Sequence, residues 1–369
     1  MKTHILLLFI ILFTSCSSED PAHLRLIELH GTPYNRGLLH GQILKEEIKI
    51  IIDKWIAKTE AMSGMDFDSI KIYFLDKNRY KDAILRWNPE LLNEVEGIAE
   101  GSGIDFETIF LFQIGEELLS YLRSINQFKC TSIGVNKSDK TPCLVAQNMD
   151  PPYFLHGFPT LLHIKQDGSD LESYVFTSPG LIALNGMNNK AIGIVANGLP
   201  DLYSNLEGLP VVFVIRTVLE KTTFEEAMTF LYNVKHAKAQ NYILGGPNEA
   251  VCLECFDDTI AKFIPYENAK VTYHTNNYLR VKHSSNSEYC SLLTTMREEL
   301  EDRNFDISLT DIKKILRSTK WDWNGGRPIS HAFTYGSTIM ELSEDPVLYI
   351  TPDQPDKMQY LRYDFTQGK

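Results

Sequence analysis

The sequence predicts an α+β fold in which a helical front segment is followed by a region rich in strands. Residues 24–128 place apolar side chains at helical spacing, whereas short β-type runs dominate from Cys130 onward. Glycine and proline breakers such as Pro151-Pro152 and Gly245-Gly246 separate those runs. Many strands with segregated helices favour layers of sheet and helix packed around a core. The junction at Cys130 is therefore the main feature of the chain.

Three helices are predicted in the front segment from spacing and end signals. The second should open at Pro89 and end at Gly101, and the third should begin at Phe106 under an Asp105 cap. The first carries one apolar stripe, formed by Leu44, Ile48, Ile51 and Trp55.

The region after Cys130 contains at least eleven candidate strands and two candidate helices. One helix should follow a capping box formed by Thr223 and Glu226, and another should cover Ser287 to Asp302. Cys252 and Cys255 lie in a predicted strand, where positions three apart face opposite sides, so we interpret them as packing residues. The candidate strands are Thr131–Val135, Cys143–Gln147, Thr160–Lys165, Ser173–Thr177, Ala191–Ala196, Val251–Phe256, Ala261–Tyr266, Val271–His274, Thr338–Leu342, Val347–Thr351 and Gln359–Tyr363.

Length and composition indicate a packed globular protein and exclude one class of partner. The chain has 369 residues, enough for one large domain or two ordinary ones. Hydrophobic residues make up 43% and charged residues 23%, which predicts a sizeable buried core. The formal net charge is −12, which argues against binding to nucleic acid, because phosphate backbones require clustered Lys and Arg.

The first residues have the features of an export signal. Lys2 precedes an apolar run, Ile5 to Phe13, that is too short to span a bilayer. The run ends in Thr14-Ser15 before Cys16, an ending that resembles a bacterial lipoprotein signal. We therefore expect a signal peptide at 1–15, lipidation of Cys16, and an exported, membrane-anchored protein in the periplasm or at the cell surface. The alternative is an ordinary cleaved signal with an incidental cysteine.

A possible catalytic pair lies at the junction. Cys130 stands at the mouth of a predicted strand, and Asp150 ends the next one, twenty residues later. Two strands joined by a short loop would bring both residues to the same end of a hairpin. The chain has six cysteines, so lipidation of Cys16 leaves an odd number and at least one free thiol.

Several motifs in order along the chain resemble the self-cleaving penicillin (isopenicillin N) acyltransferase family of N-terminal nucleophile hydrolases, with more distant similarity to acid ceramidase and choloylglycine hydrolase. No single motif is specific, and their shared order carries the resemblance. They are Glu28–Gly37 with His40-Gly41, Gly97–Gly101, Cys130-Thr131-Ser132, Gln147–Asp150, Arg216–Glu220, Tyr242–Gly246 and His274–Asn277.

The resemblance implies a four-layer αββα sandwich and a cysteine amidase that activates itself. The chain would cut itself between Lys129 and Cys130 into a leading segment (16–129) and a trailing segment (130–369) that stay associated. Cys130 would be the nucleophile and its freed α-amine the general base, since that amine has an unperturbed pKa near 7.7–8.0. Asp150 would orient the amine and Asn276 would donate to the oxyanion.

The implied site has a further candidate residue and one departure from the family pattern. Asn197, after the strand ending at Ala196, is a second candidate polar group, although Asn-Gly is also a common turn pair. Asp150 and Asn276 could likewise be turn residues. Gln147 is the residue of the acyltransferase family, where the ceramidase and choloylglycine branches carry Arg. The departure is a second Arg, which those branches place in or near the helix after the Thr-Asn strand. This chain has Ser287-Glu288-Tyr289-Cys290 there, and Arg280 is the nearest upstream candidate.

The expected reaction is hydrolysis of a non-peptide amide in a small or lipid-like N-acyl compound, through a thioester acyl-enzyme and without a cofactor or metal. Two alternatives remain open. An acyltransferase using a thioester donor would share every catalytic residue. The second alternative is a surface-binding lipoprotein that keeps the fold without cleaving itself. It is motivated by the absence of the second Arg of the ceramidase and choloylglycine branches.

Overall fold

The computed structural model describes residues 23–122, 129–200, 205–280, 291–321 and 327–366. The predicted signal peptide at 1–15 and Cys16 lie outside these ranges, as does the start of the helix predicted from Ser287. Within them, no helix combines the length and apolar character needed to cross a membrane.

The described residues form eleven α-helices and fourteen strands. The helices are α1 Pro33–Ile43, α2 Lys45–Ser63, α3 Phe67–Lys77, α4 Tyr80–Trp87, α5 Glu90–Ser102, α6 Phe106–Gln113, α7 Gly115–Tyr121, α8 Val211–Leu219, α9 Phe224–Asn233, α10 Ser291–Glu301 and α11 Leu309–Leu316. The strands are β1 Arg25–Leu29, β2 Lys129–Val135, β3 Cys143–Asp150, β4 Thr160–Lys165, β5 Glu172–Thr177, β6 Asn185–Asn188, β7 Gly193–Gly198, β8 His236–Gly245, β9 Ala250–Asp257, β10 Thr259–Phe263, β11 Val271–His274, β12 Gly336–Leu342, β13 Val347–Thr351 and β14 Leu361–Asp364.

Two sheets stack face to face, and helices cover both outer faces. The first sheet has the strand order β1-β4-β5-β6-β7-β8-β9-β10, and the second has β11-β2-β3-β12-β13-β14. Buried side chains such as Val145, Phe176 and Met340 fill the space between the sheets. Helices α2 to α9 pack on the first sheet, and α10 and α11 cover the second. The predicted α+β, four-layer αββα architecture is confirmed.

Most of the predicted helices are present, and their ends follow the expected capping chemistry. The stripe of α2 is buried, with Trp55 only 1% exposed. Asp105 caps α6 by accepting a hydrogen bond from the Thr108 amide at 3.0 Å. At α9, Thr223 accepts from the Glu226 amide, but the Glu226 carboxylate bonds to Thr222 rather than back to Thr223. The predicted capping box is therefore only half formed.

The predicted end of α5 is wrong by two residues. The helix continues through Gly101 and ends at Gly103, whose φ of +75° is the left-handed conformation that glycine favours. Gly101 is helical because α1 and α5 pack backbone to backbone, and a Cβ there would lie 2.3 Å from the Leu38 carbonyl oxygen. Glycine was needed at this position for close helix contact rather than for termination.

The strand predictions missed three elements and misplaced several boundaries. The run predicted at Ala261–Tyr266 is β10 Thr259–Phe263, and the run predicted at Gln359–Tyr363 is β14 Leu361–Asp364. β1 lies in the supposedly helical front segment and pairs in parallel with β4, while β6 and β8 were not predicted. The run predicted at Ala191–Ala196 begins and ends two residues later, because Ala191 occupies a turn with φ +57°. Cys252 and Cys255 do face opposite sides of β9, the former between the sheets and the latter toward the helices.

A buried ion cluster ties the leading helices to the trailing segment. The Glu94 carboxylate on α5 accepts from both terminal nitrogens of Arg216 on α8, one of them at 2.9 Å. Arg36 on α1 adds a third contact at 3.3 Å. All three side chains are at most 5% exposed, so their charges depend on one another for compensation.

Candidate active site

The β2–β3 hairpin places the two predicted catalytic residues on facing strand ends. In the antiparallel register, Lys129 lies opposite Asp150 and Cys130 lies opposite Met149. Asp150 is therefore directly across the ladder from the proposed Lys129–Cys130 scission site. The strand register thus brings Cys130 and Asp150 to the same end of the hairpin, as the sequence predicted.

Cys130 is a buried thiol whose backbone nitrogen is held by a side chain from another strand end. It is 3% exposed, and its amide N–H donates to Asn276 Oδ1 at 2.7 Å. Burial raises the pKa of the thiol well above its usual value, and the nearby Asp150 carboxylate adds to the effect. Such a thiol requires an adjacent base to become a nucleophile.

Asp150 is a buried carboxylate beside the ring of His331. It is 3% exposed, and His331 Nε2 lies 3.1 Å from Asp150 Oδ2. Neither carboxylate oxygen accepts a well-aligned hydrogen bond from the described residues. Burial raises the pKa of Asp150, although His331 opposes the shift.

Asn276 follows β11 and bridges two backbone groups. Its Oδ1 accepts from Cys130, and its Nδ2 donates to the Gly198 carbonyl at 2.9 Å. A buried hydrogen bond anchors the preceding strand, since His274 Nε2 lies 2.9 Å from Glu254 Oε1. In this intact chain the Asn276 amide is thus bound to the backbone on both sides, and its oxyanion role remains a prediction.

Asn197 lies within β7 rather than after it, so the sequence-based position needs correction. It pairs with Asn241 of β8 in the ladder, because Asn197-Gly198 continues the strand instead of forming a turn. Its Oδ1 accepts from Ser132 at 2.9 Å and from Asn241 at 3.1 Å. Its Nδ2 is buried and has no hydrogen-bond partner in the described part of the chain. A buried donor without a partner among the described residues therefore lies beside β2.

Gln147 occupies the place where the related branches carry Arg. Its Nε2 donates to the Ala196 carbonyl at 2.6 Å, and its Oε1 accepts from Asn185 at 2.8 Å. These bonds use the neutral amide to join β3 to the first sheet. Arg280, the alternative source of positive charge, is exposed.

A cavity with a mainly apolar lining opens onto Cys130. The trailing segment supplies one wall, including Met149, Leu155 and Ile215, and the leading segment supplies another. The leading-segment side chains that line it include Trp55, Phe112, Leu119 and Glu116.

Glu116 is a charged side chain of the cavity wall. Its carboxylate accepts from Gln240 and lies 3.7 Å from the ammonium of Lys238, both on β8. The next residue, Glu117, is buried and accepts from the Val211 amide at the start of α8 at 2.9 Å. Burial and the neighbouring Glu116 raise the pKa of Glu117 to about 7. These contacts join α7 of the leading segment to the trailing segment.

Sequence reasoning missed His331 and Glu116, which both lie far along the chain from the residues they approach. A polar Ser330-His331 pair just before the β12 strand was the available signal for the first. The Glu116-Glu117 pair in an otherwise apolar helical stretch was the signal for the second. Neither signal identifies a partner without the fold.

Three solved structures illustrate the similarity of this chain to known proteins. The Caenorhabditis elegans N-acylethanolamine-hydrolyzing acid amidase ortholog has a TM-score of 0.46 and 17% identity, covering 64% of this chain and 100% of that one. A mutant conjugated bile acid hydrolase from Clostridium perfringens has a TM-score of 0.41 and 13% identity, covering 64% and 93%. Penicillin V acylase from Agrobacterium tumefaciens has a TM-score of 0.38 and 11% identity, covering 64% and 86%.

Sequence comparison gives a local relative and a family match. Protein dcd1A of Dictyostelium discoideum is 32% identical over 111 residues, so this chain spans about a quarter of that protein's length. The sequence model of the acyl-coenzyme A:6-aminopenicillanic acid acyl-transferase family matches residues 135–315. That match includes Asp150, Asn197 and Asn276 and begins five residues after Cys130. Over this segment the chain carries the sequence pattern of the acyl-coenzyme A:6-aminopenicillanic acid acyl-transferase family, and its resemblance to these N-terminal nucleophile hydrolases is confirmed.

Proposed function

We propose that this protein is a cysteine amidase that cuts itself between Lys129 and Cys130 and then hydrolyses a non-peptide amide through a thioester at Cys130. The observation that carries the proposal is the setting of the Cys130 nitrogen. It is bonded to Asn276 Oδ1, and Asp150 stands across the ladder from the bond that would break.

Maturation would begin with attack of the Cys130 thiol on the Lys129 carbonyl carbon. The peptide C–N bond breaks as the acyl group moves to sulfur, and the nitrogen takes the proton that the thiol loses. Water then hydrolyses the thioester, leaving a carboxylate on Lys129 and a free α-amine on Cys130.

Turnover would use that amine as the base that the buried thiol lacks. The amine takes the thiol proton as sulfur attacks the substrate carbonyl, and it returns a proton to the departing amine. Water, deprotonated by the same group, then releases the acyl product. Asp150, whose oxygens accept no well-aligned hydrogen bond from the described residues, offers a charge partner for the new ammonium.

The oxyanion formed at the substrate carbonyl needs a nearby donor. Asn276 is the candidate that the family resemblance implies, and its amide becomes available if it releases Gly198. Asn197 Nδ2 is buried without a partner among the described residues, which supports it as a second donor. Removing one such donor typically costs about 2.7–4 kcal/mol of transition-state stabilisation.

The apolar cavity supports a substrate with an apolar acyl group. Its lining is dominated by aliphatic and aromatic side chains, which favour a hydrocarbon chain or a ring system over a polar group. A panel of N-acyl amino acids, N-acyl lipids, β-lactams and conjugated bile acids samples such acyl groups with different amines.

Denaturing electrophoresis of the wild type beside Cys130→Ala tests self-cleavage directly. We expect two fragments from the wild type, with Cys130 at the terminus of one by Edman sequencing, and one intact chain from the variant. Amide turnover should be present only in the wild type. A single band from both proteins, with no turnover, would instead support the non-cleaving binding protein. Cys143→Ala, which alters another buried thiol, controls for loss of a core cysteine.

Acyl transfer is a second candidate, and the family match favours it because the family's description names an acyl-coenzyme A donor. Both reactions would pass through the same thioester at Cys130. Product analysis with a thioester donor, water and a competing amine separates them. Accumulation of a new amide would identify a transferase, and free acid would identify a hydrolase.

Two further proposals concern the fate of the segments and the anchor. Arg216 and Glu94, and Gln240 and Glu116, join residues on opposite sides of the scission site, which supports continued association after cleavage. We also propose, from the sequence alone, that Cys16 carries lipid and tethers the exported protein to a membrane. Mass spectrometry of the N-terminal peptide is expected to show a diacylglycerol adduct on Cys16, and an unmodified peptide would exclude the anchor.

A further inference from the structure

We propose that His331 is a positioning residue that holds the Asp150 carboxylate and thereby sets how tightly the Cys130 α-amine keeps its proton. The inference rests on the proposed amidase function. It assigns a role to the contact that the loop before β12 makes with the Asp150 carboxylate.

The hydrogen bonds around His331 fix which ring nitrogen faces Asp150 with a proton. The Phe333 amide N–H donates to His331 Nδ1 at 3.2 Å, so Nδ1 uses its lone pair and carries no hydrogen. The proton of the neutral ring is then on Nε2, the atom 3.1 Å from Asp150 Oδ2. The ring therefore presents an N–H to the carboxylate without needing a positive charge.

The loop that carries His331 is tied to the strand that carries Asp150. The Tyr335 amide donates to the Met149 carbonyl at 2.8 Å, and the Thr334 amide donates to the His331 carbonyl at 2.8 Å. The His331 amide in turn donates to Thr334 Oγ1 at 3.3 Å. These bonds fix the distance between ring and carboxylate, which is what a positioning residue requires.

The other groups that face Asp150 are the Cys130 thiol, the Thr334 hydroxyl and the His156 ring. His156 is itself influenced by Asp353, and its own pKa is lowered by burial. Within the described residues no lysine or arginine forms an ion pair with Asp150. His331 is thus the nitrogen donor that lies within 3.1 Å of the carboxylate and can neutralise part of its charge.

The direction of the effect follows from electrostatics. A carboxylate stabilises a neighbouring ammonium, and a donor on the far side of the carboxylate withdraws part of that stabilisation. Removing the His331 donor should therefore make the Cys130 amine hold its proton more tightly. A smaller fraction of the Cys130 amine would then be unprotonated at a given pH. The acidic limb of the kcat/KM profile should therefore move to higher pH.

The test compares His331→Ala, which removes the donor, with His331→Gln, whose side-chain amide can replace an Nε2–H. His30→Ala, an exposed histidine before α1, is the matched control. Each full-length protein is assayed for chain scission, for thermal unfolding, and for kcat/KM of its best panel substrate from pH 5 to 9.

We expect the acidic limb of His331→Ala to move upward by about half a pH unit or more, with His331→Gln and His30→Ala close to the wild type. If His331→Ala stays uncut while His331→Gln matures at equal melting temperature, the positioning role is also supported. An unchanged limb, a shift to lower pH, or equal defects in both His331 variants would overturn it. An uncut, inactive wild type would instead refute the amidase itself, so the two failures are distinguishable.

Discussion

Asp150→Asn is expected to leave the chain uncut, and to lower kcat on the order of 10³-fold or more in any fraction that does mature. The amide has the same shape as the carboxylate but lacks the charge that would hold the Cys130 ammonium. The residue is buried directly across from the proposed scission site, so bulk water cannot substitute for that charge.

Asp150→Asn should not be less stable than the wild type. Its melting temperature therefore distinguishes a loss of catalysis from a loss of folding. Burial raises the pKa of Asp150. Ionisation of this carboxyl therefore destabilises the folded state as the pH rises above the pKa of an Asp in the unfolded chain. We expect Asp150→Asn to melt at the same temperature as the wild type or higher. Asp139→Asn, an exposed change in the same hairpin, should mature normally. Wild-type scission and turnover in Asp150→Asn would contradict the assigned role.

Glu94→Ala is expected to lower the free energy of unfolding by about 3–5 kcal/mol, because it leaves Arg216 and Arg36 buried without their shared counter-charge. Urea denaturation followed by circular dichroism measures the loss. Glu96→Ala removes an exposed carboxylate from the same helix and should change stability little. Equal effects of the two substitutions would show that the cluster contributes no net stability.

The Glu94 contribution also has a defined pH dependence. Burial alone would raise the pKa of this carboxyl, yet Arg216 and Arg36 hold it below its usual value. The stabilisation is therefore present above the pKa of an unfolded Glu, near 4.3, and is lost as the pH falls through the lower folded value. The difference in unfolding free energy between wild type and Glu94→Ala should shrink in that acid range.

The hairpin was predictable from the sequence because its information is local. Cys130 and Asp150 mark facing ends of two short β-type runs, and strand alternation with a short loop determines their approach. The Asp105 cap was predictable for the same reason, since its partner is three residues away.

Elements defined by distant partners were not predictable in this way. β1 is a strand because β4 supplies its hydrogen bonds from more than a hundred residues away. Gly101 seemed a helix end by spacing, whereas its packing against α1 determines that it is helical. Asn197 was predicted to follow the strand because Asn-Gly is a common turn pair, but pairing with β8 outweighs that preference.

The same distinction between local and distant partners applies to the residues of the candidate site. Its strand-borne members lie in motifs that could be read from the sequence, while His331 reaches Asp150 from a loop 181 residues away along the chain. The apolar cavity could not be predicted either, since Trp55 and Ile215 meet there only after the helices pack.

One wall of the cavity is encoded upstream of the junction, in a different stretch of the gene from the proposed reactive groups. Trp55, Phe112 and Leu119 shape the cavity from one side of the junction, whereas Cys130, Asp150 and Asn276 lie on the other. Substitutions that reshape the acyl site can thus accumulate upstream without altering the reactive atoms downstream. Divergence of ligand preference in such a protein is therefore expected to appear first in its front helices.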